Sequence, residues 1–476
     1  MLLTVPSCET DSSRSRESDA ATVGCAEAVA GTSPVSKARG LTTAVITSVD
    51  EFSRLQCDWD QLLDDSNQRV YFMRWRWNLL WWRHFAPSGS ELRILTCRDA
   101  DGALVGLAPF YLRRHQVFRV FQVRELSFLG TGVGTKTSEY LNIAARRGEE
   151  RSVALAMAAA LKQRADWDRI RCQLVPADSN VLQVCLAAAG ENIAHRTCDQ
   201  SRYIDTSRGW GHYKRGLGRS MRRNVEYYGR RMFKRYPCEF RRVESEAELE
   251  PALDALFRLH VAQWEAKGQI GSLANPQFAR FVRDAARHSL CERRLRLWTL
   301  KIGGSIQAVL VGFLDNGILH YFQSGHSPAY SREDLGTVIL ALCVRDCCDD
   351  PEIRAFDFMG GGAAYKALWA RDIRDTVLCE VSRLNANTLA FDVKYGLKRM
   401  AQGVYRAVVP TKLRAARRAW LRAHHLRIQR NRIAVLLLGC IDSVNRSAVD
   451  LWADYAGPWS ISDLAWVPDL VSMVAG

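Results

Sequence analysis

Apolar residues alternating with polar ones mark strands, and apolar residues at i, i+3 and i+4 mark helices. TAVITSV (43–49) reads as the first strand. A helix is predicted over Glu51–Asp65, with Leu55, Trp59, Leu62 and Leu63 on one face. The aromatic run YFMRWRWNLLWWRHFA (71–86) predicts a second helix. ELRILTCRD and ALVGLAPFYLRR form a hairpin through an Asp-Gly turn at Asp99–Gly102. ELSFLG (125–130) and SEYLNIAA (138–145) read as further strands, SVALAMAAALKQR (152–164) as a helix, and IRCQLV (170–175) as a strand.

The second half repeats this rhythm. CEFRRVES (238–245) is a strand, followed by helices over 248–268, ended by Gly268, and over 276–290. Residues 294–325 give three antiparallel strands through turns at Gly303-Gly304 and Asn316-Gly317. A helix from about Leu335 to Cys348 and the strand IRAFDFMG (353–360) follow. Strands and helices alternating around an antiparallel meander predict a mixed α/β sheet covered by helices. Four segments result: a polar leader over 1–40, a first domain over 41–205, a second over 206–400, and a basic helical extension over 401–476.

Charge changes this picture most. The chain of 476 residues carries a formal net charge of +15. Residues 208–235 contain one acid, Glu226, and residues 394–432 contain twelve Lys and Arg and no acid. Such stretches attract phosphorylated cofactors, anionic lipid head groups or nucleic acid, or else form solvated helix faces. The 14 cysteines show neither a CxxC pair nor zinc-ligand spacing, so no metal is expected and a reducing compartment is. Neither a secretory signal nor an apolar run of about 18–20 residues is visible. The expected location is cytoplasmic, with 394–432 available for peripheral contact with an anionic membrane or an export machinery.

Four pieces of the second half then fall into one pattern: RSMRRNVEYYGRRMFK (219–234), LHVAQWEAKGQIGSLANPQF (259–278), LHYFQSGHSPAYSREDLGTVIL (319–340) and FDFMGGGAAYKALWA (356–370). In this order and spacing they resemble the GNAT acyltransferases associated with cellulose and exopolysaccharide biosynthesis, distant relatives of the Fem aminoacyltransferases. WNLLWWRHF (77–85) and VGLAPFYLRR extend the likeness into the first half.

The resemblance implies tandem GNAT-like domains, the first of them degenerate, with acetyl-CoA or another acyl-CoA in a gap between two splayed strands of the second. Its phosphates would meet the backbone at Leu335, Gly336, Thr337 and Val338, where a helix N-terminus offers unpaired N–H groups and the positive dipole end. Tyr365, Lys366, Asp357 and His260 become catalytic candidates: Tyr365 to protonate a leaving thiolate, Lys366 to bind an anion, His260 as a base near neutral pH. Trp264, Gly268, His320 and Gly361 become substrate-binding candidates.

Bland readings stand beside these. His260 and Trp264 share one helix face and fit a core pair, and Asp357 fits a turn cap. The aromatic helix 71–86 suits either core or a sugar-binding cleft. GTGVGTKT (130–137) is glycine-rich without a phosphate-loop pattern. The expected activity is acyl transfer to an amine or hydroxyl of a small-molecule or saccharide acceptor. An aminoacyl-tRNA-dependent transferase, the one reading in which nucleic acid takes part, and an inactive GNAT-fold adaptor are the alternatives.

Overall fold

The computed structural model describes residues 37–408, apart from 39, 135, 191 and 362. The first half runs β1 (Lys37–Ala38), β2 (Leu41–Ile46), α1 (Val49–Arg54), α2 (Gln56–Asp64), α3 (Trp75–Phe85), β3 (Glu91–Arg98), β4 (Leu104–Val117), β5 (Phe121–Phe128), β6 (Ala144–Ala145), α4 (Glu150–Gln163), β7 (Arg169–Pro176), α5 (Asn180–Ala189) and β8 (Asn192–Asp205). Two helices, α6 (Gly209–Gly216) and α7 (Arg219–Arg235), lead into the second half. It continues with β9 (Cys238–Arg242), α8 (Glu246–Glu265), α9 (Pro276–Cys291), β10 (Leu295–Ile302), β11 (Ser305–Asp315), β12 (Ile318–His326), α10 (Leu335–Asp349), β13 (Ala355–Asp357), α11 (Lys366–Trp369), β14 (Asp372–Ser382) and α12 (Ala386–Val408). The rest of the basic 394–432 stretch, from 409 on, and the leader to residue 36 lie outside the described residues.

Several expected elements change form. The helix over 51–65 breaks at Leu55, which closes α1 through its N–H on the Phe52 carbonyl and opens α2. The aromatic run starts as a 3-10 turn at Tyr71–Met73 before α3. It is core: Phe72, Trp77 and Trp81 have essentially no exposed surface. Its indoles are satisfied inside, Trp75 donating to the Phe52 carbonyl at 2.8 Å and Trp77 to Ser138 Oγ at 2.8 Å. The strand expected over 138–145 shrinks to Ala144–Ala145, because Tyr140 turns the chain with φ of 61°. The strand over 353–360 shrinks to β13, since the chain bends at Met359 with φ of 56°.

All fourteen strands of the described residues join one sheet, in the order β1-β2-β3-β4-β5-β7-β14-β8-β13-β12-β11-β10-β9, with β6 on β4. The central strands are exchanged. β14, the last strand of the second half, pairs antiparallel with β7 of the first, from Thr376 opposite Pro176 to Ser382 opposite Arg169. β8, the last strand of the first half, pairs with β13 of the second. The two travelling strands pair with each other over Asn192–Tyr203 and Asp372–Ser382. Each half is therefore completed by the other.

Buried polar and aromatic groups tie the halves further. Asp315, at the end of β11, is wholly buried and accepts from Arg74 Nε at 2.5 Å, Arg69 Nε at 3.0 Å and Arg294 Nη1 at 2.9 Å. Tyr71 stacks on Phe313 with ring centres 4.5 Å apart, and its hydroxyl bonds Ser289.

Candidate active site

β10, β11 and β12 form a meander through tight turns in which Gly303, Gly304, Asn316 and Gly317 all take positive φ, as two-residue hairpin turns require. β12 then runs parallel to β13 for three pairs only, Ile318 to Ala355, Leu319 to Phe356 and His320 to Asp357. Beyond His320 the strands part. β12 continues to His326, while Phe358 keeps to the other side and bonds the Arg202 carbonyl of β8 at 2.9 Å.

The first half shows the same short parallel pairing, Glu125–Ser127 of β5 against Arg169–Arg171 of β7. There the chain refills the gap. Leu129 bonds the Pro109 carbonyl, Tyr140 N bonds the Leu174 carbonyl at 2.9 Å, and β6 takes the place of β5 beside β4. No described strand enters the second divergence in this way.

A register shift opposite Val311 and Gly312 puts a bulge into β12 at Phe322. A bulge inserts one residue and reverses the alternation of faces. Phe322 packs with Phe72, Trp77 and Phe278 on the α8–α9 side. Tyr321 and Ser324, three apart, both turn to the α10 side, where Tyr321 Oη lies 2.5 Å from Ser324 Oγ. The Tyr365 hydroxyl stands next in line, beside that of Tyr321. Tyr365, Tyr321 and Ser324 thus form a chain of hydroxyls across the parted strands. Burial pushes both phenols above the ordinary tyrosine range, so both stay protonated at neutral pH. Tyr365 keeps 41% of its surface exposed and is the outer end of the chain.

α10 starts beside this gap. Asp334 adopts a left-handed conformation (φ 47°, ψ 51°), and its carbonyl accepts from Val338 N. Leu335 and Val338 bury their side chains in the core, which leaves backbone as their contribution to any anion site, with Thr337 half-buried between them. Gly336 leaves room for His326: a Cβ there would fall 2.8 Å from the imidazole Nε2 and make the ring shift. Burial lowers His326 to about 4.

Lys366 closes the loop that follows β13. Its ammonium donates to the carbonyls of Phe358 at 2.9 Å, Met359 at 3.0 Å and Gly360 at 2.8 Å. An ammonium has three protons, so this cage occupies all of them. Burial lowers its pKa.

Asp357 has no exposed surface and accepts from Met359 N at 2.6 Å, Tyr140 Oη at 2.9 Å and Arg374 Nη1 at 3.1 Å. Burial outweighs these donors and raises its pKa to about 6. Gly360 N donates to Glu139, which also holds Lys136; a Cβ at Gly360 would meet Asp199 Oδ2 at 2.4 Å. The Lys136–Glu139–Tyr140 segment of the first half is thereby clamped on the loop of the second. Gly361, with φ of 108°, lies exposed next to Lys366 Nζ.

His260, Trp264 and Gly268 stand on α8 and its C-terminal turn, where His260 meets the backbone of Ser324. His260 bonds the Ser324 carbonyl through Nδ1 at 2.8 Å, and burial lowers its pKa, so it is neutral near pH 7. Gly271 packs against both rings: its Cβ would lie 2.6 Å from His260 Nε2 and 2.7 Å from Trp264 Cδ1. Gly268 turns the chain after α8 with φ of 65°, its N–H on the Glu265 carbonyl at 2.8 Å and open space where a Cβ would stand. His320 is 1% exposed, between the rings of Phe72 and Tyr140, and burial lowers it to about 3.

The structure therefore brings together Asp357, Tyr365, Lys366, Gly361 and the start of α10, with His320 at the point where the strands part. Lys136, Glu139, Tyr140, Tyr321, Ser324 and Arg374 join them without having been singled out in the sequence. Among the described residues no group of three or more His, Cys, Asp or Glu is arranged to hold a metal ion, and no helix is long and apolar enough to cross a membrane.

Residues 219–367, from α7 through Tyr365 and Lys366, match the family described as acetyltransferase (GNAT) domain. With the repeated element order of the two halves, the fold is mixed α/β with tandem GNAT-like domains. No protein of curated function matches the chain by sequence. In fold it is similar to the crystal structure of FemX, with a TM-score of 0.50 and 10% identity, over 71% of this chain and 98% of that one. Lower scores relate it to two more solved structures. One is the C-terminal domain of a putative lysylphosphatidylglycerol synthetase from Agrobacterium fabrum (TM-score 0.43, 9% identity, 72% of this chain and 95% of that one). The other is a tandem GNAT protein from the clavulanic acid biosynthesis pathway (TM-score 0.36, 14% identity, 72% and 100%).

Proposed function

We propose that the chain transfers an acetyl or longer acyl group from acyl-CoA to an amine or hydroxyl, with a saccharide or cell-envelope precursor as the acceptor. The observation that carries this reading is the hydroxyl chain Tyr365–Tyr321–Ser324 at the divergence of β12 and β13, within the span that matches acetyltransferase domains. A thioester lying in that divergence has its phosphates at the start of α10. Attack by the acceptor forms the new C–N or C–O bond, and collapse of the tetrahedral centre breaks the C–S bond. Tyr365 gives its proton to the departing thiolate, and the proton that the acceptor loses returns to Tyr365 through Ser324 and Tyr321, so that the net products are acylated acceptor and free thiol. Lys366 and the Glu139 clamp hold the loop that carries Tyr365, a positioning role.

Release of free thiol from acetyl-CoA and longer acyl-CoAs, measured with an acceptor panel, tests this. Tyr365→Phe is expected to keep acyl-CoA binding by calorimetry while slowing thiol release by about 100- to 10,000-fold, the scale of a lost general acid. A folded wild type that no acyl-CoA stabilises would overturn the reading.

The unopposed cations of α7 support a second reading, in which the donor is an aminoacyl-tRNA. Its signature is tRNA binding that weakens steeply with salt.

A further inference from the structure

α7 carries Arg219, Arg222, Arg223, Arg230, Arg231, Lys234 and Arg235 against the single acid Glu226. Its C-terminal half lies against the turn that leads into α10. Arg235 Nη1 bonds Glu333 at 3.1 Å, Tyr236 donates to the same carboxylate at 3.3 Å, and Arg231 stands 4.0 Å from it. Glu333 is two residues ahead of the first residue of α10. The ring of Tyr236 meets Tyr330 of that turn edge-on, at 5.5 Å.

On the outer side of this junction is an open groove lined by Tyr227, Arg230, Arg231, Lys234 and Arg235. Glu226 faces away from it, paired with Lys214 of α6 at 2.9 Å. Among the described residues, neither Arg230 nor Lys234 reaches a carboxylate, and both are exposed. Tyr227 is 50% exposed, with the Arg231 guanidinium 5.9 Å from its ring centre. Guanidinium and ammonium groups around an aromatic face suit one chemistry well: a phosphate held by the cations and a purine stacked on the ring.

We infer that this groove holds the phosphorylated adenosine end of the acyl donor, the 3′-phosphate on Arg230 and Lys234 and the adenine on Tyr227. The inference rests on the acyl-CoA reading. The place of the groove supports it: a donor whose pyrophosphate meets the start of α10 has its nucleotide end beside Glu333 and α7. A long polyanion such as RNA would instead use the whole helix, Arg219, Arg222 and Arg223 included.

Calorimetric titration of the full chain with acetyl-CoA, with acetyl-dephospho-CoA and with uncharged tRNA tests it. Wild type is expected to bind acetyl-CoA at least about tenfold more tightly than the form lacking the 3′-phosphate. In Arg230→Ala/Lys234→Ala that ratio falls to near one, with affinity for the dephospho form unchanged; both positions are exposed, and circular dichroism checks the fold. Equal affinities in wild type, or a ratio that survives in the double variant, would overturn the groove assignment and leave the acyl-CoA reading standing. Failure of both thioesters to bind wild type would sink the two together. Loss of tRNA affinity in the double variant, with the thioester ratio intact, would make the groove an RNA site and overturn the proposal.

Discussion

Asp357 titrates against the fold. Because burial raises it to about 6 in the native state, the folded chain binds more protons than the unfolded one between about pH 4 and 6. Stability is therefore expected to fall as pH rises through that window, by up to about 2–3 kcal/mol for a shift of some two units. In Asp357→Asn, denaturant midpoints measured from pH 4 to 7 should lose this component of the slope. Gly325 gives a second expectation. A Cβ there would lie 2.5 Å from the backbone N of His260 and 2.9 Å from the Leu256 carbonyl, atoms of α8 that cannot rotate away. Gly325→Ala should cost roughly 1–3 kcal/mol or more in urea denaturation, the range for overpacking a dense interface. Tyr365 and Lys366 could be singled out as candidates in the sequence, because a polar Gly-rich loop is no place for core residues; the full burial of Asp357 at the end of β13 left no such local sign. The partnership of Tyr321 with Ser324 was not legible either. In an unbroken strand residues three apart face opposite ways, and only the bulge at Phe322 puts them on one side.

Among the elements, the hairpins β3–β4, β10–β11 and β11–β12 and the long amphipathic helices could be read from periodicity and turn residues alone. The strands β8 and β14 could not. Their sequences, NIAHRTCDQSRYID and DIRDTVLCEVS, are rich in charged and polar residues and carry little alternation. Their stability comes from pairing on both sides, with partners remote in sequence, and pairing of that kind leaves no local pattern. Thr376 shows what such a strand depends on. It is buried, faces Pro176 of β7 on one side and Asp199 of β8 on the other, and its hydroxyl bonds the Asp199 carbonyl at 3.0 Å. Thr376→Pro removes a donor from the middle of the sheet, at a cost of at least the roughly 1–3 kcal/mol of a buried carbonyl left unpaired. Hydrogen exchange is expected to rise in peptides from both β7 and β8; a rise in one alone would contradict the double pairing.

At the scale of the molecule, the exchange of strands makes independent unfolding of the halves impossible without breaking the sheet at its centre. Peptides from β3–β5 and from β10–β12 should therefore share one highest opening free energy in native-state hydrogen exchange. Two separate values would show that the seam is weak. The buried cluster at Asp315 reinforces that seam. Asp315→Asn leaves Arg74 buried without its main partner and should destabilise the whole chain by about 3–5 kcal/mol, while Arg74→Met/Asp315→Leu regains much of the loss. Denaturation of the three proteins under one buffer checks this.

The order of synthesis gives the exchange one more consequence. When β7 leaves the ribosome it has β5 on one side, but its neighbour on the other does not yet exist, for β14 lies nearly two hundred residues downstream. At translation speeds of roughly 5–20 residues per second, an unpaired strand edge stands open for about 10–40 s. Nascent chains of this protein are expected to engage holding chaperones throughout that interval, and to let go of them only when the final strand slides into the centre.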